Sequence, residues 1–167
     1  MDKTGLRNNA LQQRRALQSH EVIELSQTIA ERLHDLISWN TVHQVHVYTS
    51  KMSLNEVDTA GICKQLSYEF PAIVITKGEP SKQALIPTSM YDVIIVPLVA
   101  FDGSCHRIGF GGGWYDRFLS TQPQARKIGL AYELQRVEAI PVEQHDELLD
   151  AVVTEKQVYV PNKNAPT

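Results

Sequence analysis

The chain has 167 residues, 43% of them hydrophobic and 21% charged, and carries a formal net charge of -3 at pH 7. That length suits one globular domain that buries a core without a disulfide or metal staple. The small negative charge excludes a general pull toward nucleic acid or anionic membrane, so any attraction for phosphate has to be local.

Cys63 and Cys105 lie far apart with no CxxC spacing, which reads as free thiols in a reducing compartment. The segment Met1 to Arg7 has no apolar signal core, and no run approaches the ~20 apolar residues of a membrane helix. The expectation is a cytoplasmic protein with no membrane partner. There is no basic stripe interleaved with aromatics, so no nucleic-acid partner is expected either. A monomer is the default expectation.

In chain order, Leu6, Ala10, Leu11 and Leu17 make an incomplete apolar stripe on a first helix. Val22, Leu25, Ile29, Leu33 and Leu36 repeat at helical spacing on a second, with Ser19 as its expected N-cap and Glu21 in its first turn. Val45 to Tyr48 alternates as a strand. Asp58 is the expected cap of a helix reaching about Tyr68, and Ala72 to Ile75 is a short buried strand, with the pattern broken at Gly78-Glu79-Pro80. Val93 to Val96 is almost wholly apolar, as in a parallel strand covered on both faces. Strands are also expected at Ile128 to Ala131, Ala151 to Thr154 and Val158 to Val160. This order predicts an α/β fold, a three-layer α/β/α arrangement with a mostly parallel sheet and an N-terminal helical pair. Residues 1–160 form the expected single domain, and 161–167 a frayed tail. Ligands of such sheets sit at the carboxyl ends of the strands.

The informative stretch is Arg107-Ile108-Gly109-Phe110-Gly111-Gly112-Gly113-Trp114-Tyr115-Asp116-Arg117. Glycines let backbone N–H groups approach a ligand closely, and consecutive N–H groups form an anion-receiving nest. A helix beginning near Trp114 adds its own positive end, and Arg107 a fork-shaped donor. Trp114 stands where a Walker loop or a dinucleotide fingerprint would need another residue, so both are disfavoured. From residue types alone, the turn is equally an anion nest or a surface loop. Asp116 favours the nest, because a triphosphate arrives with magnesium and magnesium takes carboxylate oxygens. His145, Asp146 and Asp150, near the strand at Ala151, read by themselves as solvated turn or capping residues.

These segments resemble the 5-formyltetrahydrofolate cyclo-ligases, also called 5,10-methenyltetrahydrofolate synthetases. The resemblance rests on Lys3-Thr4-Gly5-Leu6-Arg7, Glu56-Val57-Asp58-Thr59, Asp92 to Pro97 with Ala100-Phe101-Asp102, and the glycine turn. Ile128 to Tyr132, Pro141 to Asp146 and Asp150 to Glu155 follow in the family's order. It implies ATP- and magnesium-dependent cyclisation of 5-formyltetrahydrofolate to 5,10-methenyltetrahydrofolate through a phosphorylated formyl group. ATP and a reduced folate are then the small-molecule partners. It further implies that Lys3, Arg7, Arg107, Gly109, Gly111, Gly112, Gly113, Tyr115 and Asp116 meet ATP, with Arg107 and Asp116 catalytic. Glu56, Trp114 and Tyr115 would meet the folate, and Asp116 and Asp150 the magnesium.

The chain departs from the family pattern after Ile75, where Lys77-Gly78-Glu79-Pro80 follows almost at once. This predicts a shortened wall to the folate pocket. It keeps two alternatives in view: another ATP-dependent enzyme on the same scaffold, or a non-catalytic folate- or nucleotide-binding protein.

Overall fold

Two faces of buried side chains organise the chain in the computed structural model, which describes residues 1–79 and 89–162. Pro80 and most of the expected tail, residues 163–167, lie outside the described residues, as does much of the segment expected to shorten the folate wall. Strands β1 (Gln44–Val47), β2 (Val74–Lys77), β3 (Val93–Pro97), β6 (Arg126–Leu130), β7 (Ala151–Val153) and β8 (Val158–Tyr159) form one sheet in the order β2-β1-β3-β6-β7-β8. All its pairings are parallel except β7 with β8. The strand expected to be buried at Ala72 to Ile75 is instead β2, two residues later and largely exposed, because it lies at the edge of the sheet. Val93 and Ile95 point into one core with Ile29, Leu33, Ile62 and Leu66 of helices α2 (Ser19–Leu36) and α3 (Ala60–Glu69). Ile94 and Val96 point the other way, into a core with Phe101, Leu119 and Val152. Leu119 belongs to helix α4 (Trp114–Ser120). This alternation, period two on a doubly covered sheet, gives the expected three layers.

A separate antiparallel ribbon, β4 (Ala100–Phe101) with β5 (Arg107–Ile108), leaves the sheet just after β3. Asp102 shapes its turn: its carboxylate accepts the N–H groups of Ser104, His106 and Ile140, and Cys105 takes a left-handed φ of 67°. Helix α1 (Lys3–Arg15) packs Ala10 against Val99, Ala100 and Ile108 of this ribbon.

The N-terminal helices therefore part company, α1 serving the ribbon and α2 the sheet. Helix α2 is capped by Gln18, not Ser19, because Glu21 reaches back to accept the Gln18 backbone N–H at 2.8 Å. At α3 the cap position is Thr59; Asp58 instead turns its carboxylate onto the Ala60 N–H at 2.9 Å. No helix among the described residues is long and apolar enough to cross a membrane.

Candidate active site

Between β1 and β3 the chain connections run in opposite directions: β1 leads through α3 to β2 on one side, and β3 leads toward β6 on the other. Such a switch point opens a crevice at the carboxyl ends of the strands. A cleft of about 370 Å³ lies there, floored by Tyr48 and Pro97 at the ends of β1 and β3. The expected residues Lys3, Arg7, Glu56, Arg107, Gly109, Gly111, Gly112, Gly113, Trp114, Tyr115 and Asp116 all line it.

One wall is cationic and rich in backbone. Arg107 stands on β5 with its side chain only 3% exposed, and its Nη2 donates to Asp116 Oδ1 at 2.9 Å. Its Nε is buried without a partner among the described residues. Burial pulls this guanidinium below its ordinary range while Asp116 pulls the other way; the guanidinium stays cationic. Arg7 Nε donates to the Gly109 carbonyl at 2.8 Å, tying α1 to the glycine turn. Lys3 bridges to Asp146 at 2.6 Å and to Glu143 at 3.5 Å. Gly111 and Gly113 have φ of 106° and 65°, conformations that L side chains resist, and Gly113 caps α4. A Cβ on Gly112 would come within 2.8 Å of Trp114 Cδ1. Trp114 carries the Arg117 guanidinium over its ring at 4.4 Å, so it is partly exposed rather than a core residue.

The loop after β1 brings a buried acid to the same cleft. Glu56 is 4% exposed and accepts the Lys51 N–H at 2.6 Å. Burial pushes its carboxyl upward, opposed by that N–H and by Arg14. Lys51 also pairs with Glu79 at 3.0 Å. Tyr115 sits over His46, ring centroids 6.4 Å apart, within an aromatic cluster that includes Tyr91 and Phe118.

Asp150 does not join the site. It immediately precedes β7, so the parallel sheet sets it at the amino-terminal edge, where its carboxylate accepts the Lys127 N–H at 2.8 Å. It borders a different, shallow depression with Arg126 and Lys127. The pairing with Asp116 is thus overturned by strand direction. The acid that does enter the cleft beside Asp116 is Asp146, with Glu143 and His145. Sequence reasoning passed over it as a turn residue. Its distance ahead of β7, enough for the loop to return to the carboxyl-end side, was the available signal.

A mostly parallel doubly wound sheet with a cleft at its switch point, lined by the glycine turn and by paired basic and acidic side chains, defines an α/β protein with a ligand-sized site in the usual place. Residues 52–155 match the model of the 5-formyltetrahydrofolate cyclo-ligase family. The chain is 34% identical to the 5-formyltetrahydrofolate cyclo-ligase of Mycoplasma genitalium over 83% of this chain and 89% of that one. It is 47% identical to the Escherichia coli protein of that name, over 45% of this chain and only 42% of that protein's length. The solved 5,10-methenyltetrahydrofolate synthetase of Mycoplasma pneumoniae superposes with a TM-score of 0.79 at 28% identity, covering 93% of this chain and 99% of that one. The chain belongs to the 5-formyltetrahydrofolate cyclo-ligase family.

Proposed function

We propose that this chain uses ATP to cyclise 5-formyltetrahydrofolate to 5,10-methenyltetrahydrofolate, releasing ADP and phosphate. The observation that carries the reading is the meeting of Lys3, Arg7, Arg107 and the glycine turn with buried Glu56 in one cleft. A formamide carbonyl is a poor electrophile and its oxygen a poor leaving group. Transfer of the γ-phosphoryl group of ATP to the formyl oxygen, with ADP leaving, corrects both. N10 then attacks the formyl carbon and gives up its proton; the carbon–oxygen bond breaks, and phosphate departs with the formyl oxygen.

The protein's part is positioning and charge stabilisation. Arg107 and the N–H groups of the glycine turn offer donors to the phosphoryl oxygens, and Lys3 and Arg7 add cations from α1. Glu56 suits the amino and ring N–H groups of a pterin, and Trp114 and Tyr115 offer flat faces. Asp116 and Asp146 both line the cleft and offer the carboxylate oxygens that magnesium takes. Bound there, the ion would neutralise phosphate charge.

Purified protein mixed with 5-formyltetrahydrofolate, ATP and magnesium is expected to develop the near-ultraviolet band of the methenyl product. No ATP-dependent band at high enzyme concentration would reject the activity. ATP turnover with other substrates would then point to a different enzyme on this scaffold, and binding without turnover to a non-catalytic protein.

A further inference from the structure

Helix α1 is fastened at both ends of the cleft by one face. Arg7 and Arg14 are about two turns apart, a spacing that returns a side chain to the same side of a helix. Arg7 holds the glycine turn through the Gly109 carbonyl. Arg14 is more enclosed than Arg107, 2% against 8% exposed, and does not line the cleft. Its Nε donates to the Leu54 carbonyl at 2.9 Å and its Nη1 to the Leu98 carbonyl at 3.2 Å. Leu54 lies just before Glu56, and Leu98 just before the ribbon that carries Arg107. The hold is reciprocal: Asn55, at a left-handed φ of 51°, donates its side-chain N–H groups to the Arg14 and Leu17 carbonyls at 3.1 and 2.9 Å. A buried guanidinium is costly to place and is retained here with Nη2 unpartnered among the described residues.

We propose that Arg14 and Asn55 are positioning residues that make α1 a rigid link between the nucleotide side of the cleft and Glu56, so that the two substrates strengthen each other's binding. This rests on the reading of the cleft as a site for ATP and a reduced folate. Phosphate oxygens on Lys3 and Arg7 add to the bonds these residues already make with Asp146 and the Gly109 carbonyl, and so hold the front of α1 more tightly. The Arg14–Leu54 and Asn55–Arg14 bonds carry that restraint to the loop holding Glu56, so the folate loses less freedom in binding there. Coupling between sites is reciprocal, so folate must tighten the nucleotide by the same factor.

The test is calorimetric titration of 5-formyltetrahydrofolate with and without a non-hydrolysable ATP analogue and magnesium. Wild type, Arg14→Lys and Asn55→Gly are compared, with thermal melts to show that each is folded. Lysine keeps the charge but loses the fork that serves two carbonyls, and glycine accepts the left-handed backbone without strain. The analogue is expected to tighten folate on wild type by about fivefold or more. In the folded variants the gain should fall below about twofold, with the folate affinity measured alone changing less than the gain does. The same variants should raise the KM of each substrate more than they lower kcat. Independent binding of both ligands to wild type, or a wild-type gain in folded Asn55→Gly, overturns the link while leaving the site reading intact. Failure of wild type to bind either ligand overturns both.

Discussion

The two walls of the cleft are built by different means. The cationic wall takes its cations from α1 and β5 and much of its surface from backbone, with Gly111 and Gly113 in left-handed conformations. Its charges are compensated in place, Arg107 by Asp116 and Lys3 by Asp146. The other lining group is made of side chains: Glu56, buried, and Tyr115, tilted against the His46 ring. The first is suited to a ligand with many acceptors and no fixed shape, the second to a flat ring with N–H groups. On the proposed function, this difference divides one cleft between a phosphate-receiving half and a ring-receiving half, and substitutions in each half should produce different kinetic signatures.

The largest effect should come from Arg107→Ala, which removes the buried donor proposed to face the transferring group. We expect kcat to fall by about 100- to 1000-fold. Arg107→Lys should recover only part of it, because an ammonium cannot hold Asp116 and a phosphoryl oxygen in one plane. Steady-state kinetics at saturating substrates decides this, and a loss confined to KM would place Arg107 in ground-state binding instead.

The aromatic cluster behind Tyr115, which includes His46, should be sensitive to acid. Burial pushes His46 down to about 4. The folded protein therefore keeps this ring neutral while the unfolded chain takes up a proton below pH ~6.5, so the contribution of His46 is complete above that pH and fades as pH falls toward 4. Urea unfolding of wild type and His46→Phe from neutral pH to pH ~4 should show wild type losing up to about 3 kcal/mol relative to the variant. A gap independent of pH contradicts this.

Glu56→Gln keeps an acceptor for the Lys51 N–H but removes the charge offered to a pterin. The KM for 5-formyltetrahydrofolate should rise at least about tenfold, while that for ATP at saturating folate stays within about twofold. Equal rises in both would dissolve the division between the walls.

The smallest effects separate the acids. Asp146→Asn, or removal of magnesium with a chelator, should weaken nucleotide binding in titration calorimetry. Asp150→Ala should leave that affinity within about twofold and cost about 1 kcal/mol of stability by removing the acceptor of the Lys127 N–H.

The mostly parallel sheet and the layers were legible because apolar runs such as Val93 to Val96 have few other fates than a covered parallel strand. The glycine turn was legible as a place of close backbone approach, and its neighbours Arg107 and Asp116 do meet, at 2.9 Å. Asp150 was misplaced although direction alone decides it: a residue that opens a parallel strand cannot reach a cleft at the strands' carboxyl ends. Arg14 and Asn55 were invisible for another reason. Their partners are backbone carbonyls of Leu54, Leu98 and Leu17, and a carbonyl leaves no mark on residue type. Helix caps failed similarly, since Gln18 and Ser19 differ by one step that only backbone geometry resolves.

The most direct test of the central claim follows one oxygen. 5-Formyltetrahydrofolate labelled with heavy oxygen in its formyl group is turned over with ATP and magnesium, and the released phosphate is analysed by mass spectrometry. If the cleft joins the γ-phosphoryl group to the formyl oxygen, each methenyl product leaves one labelled phosphate. Product formation with the label recovered in water, and phosphate unlabelled, would contradict it.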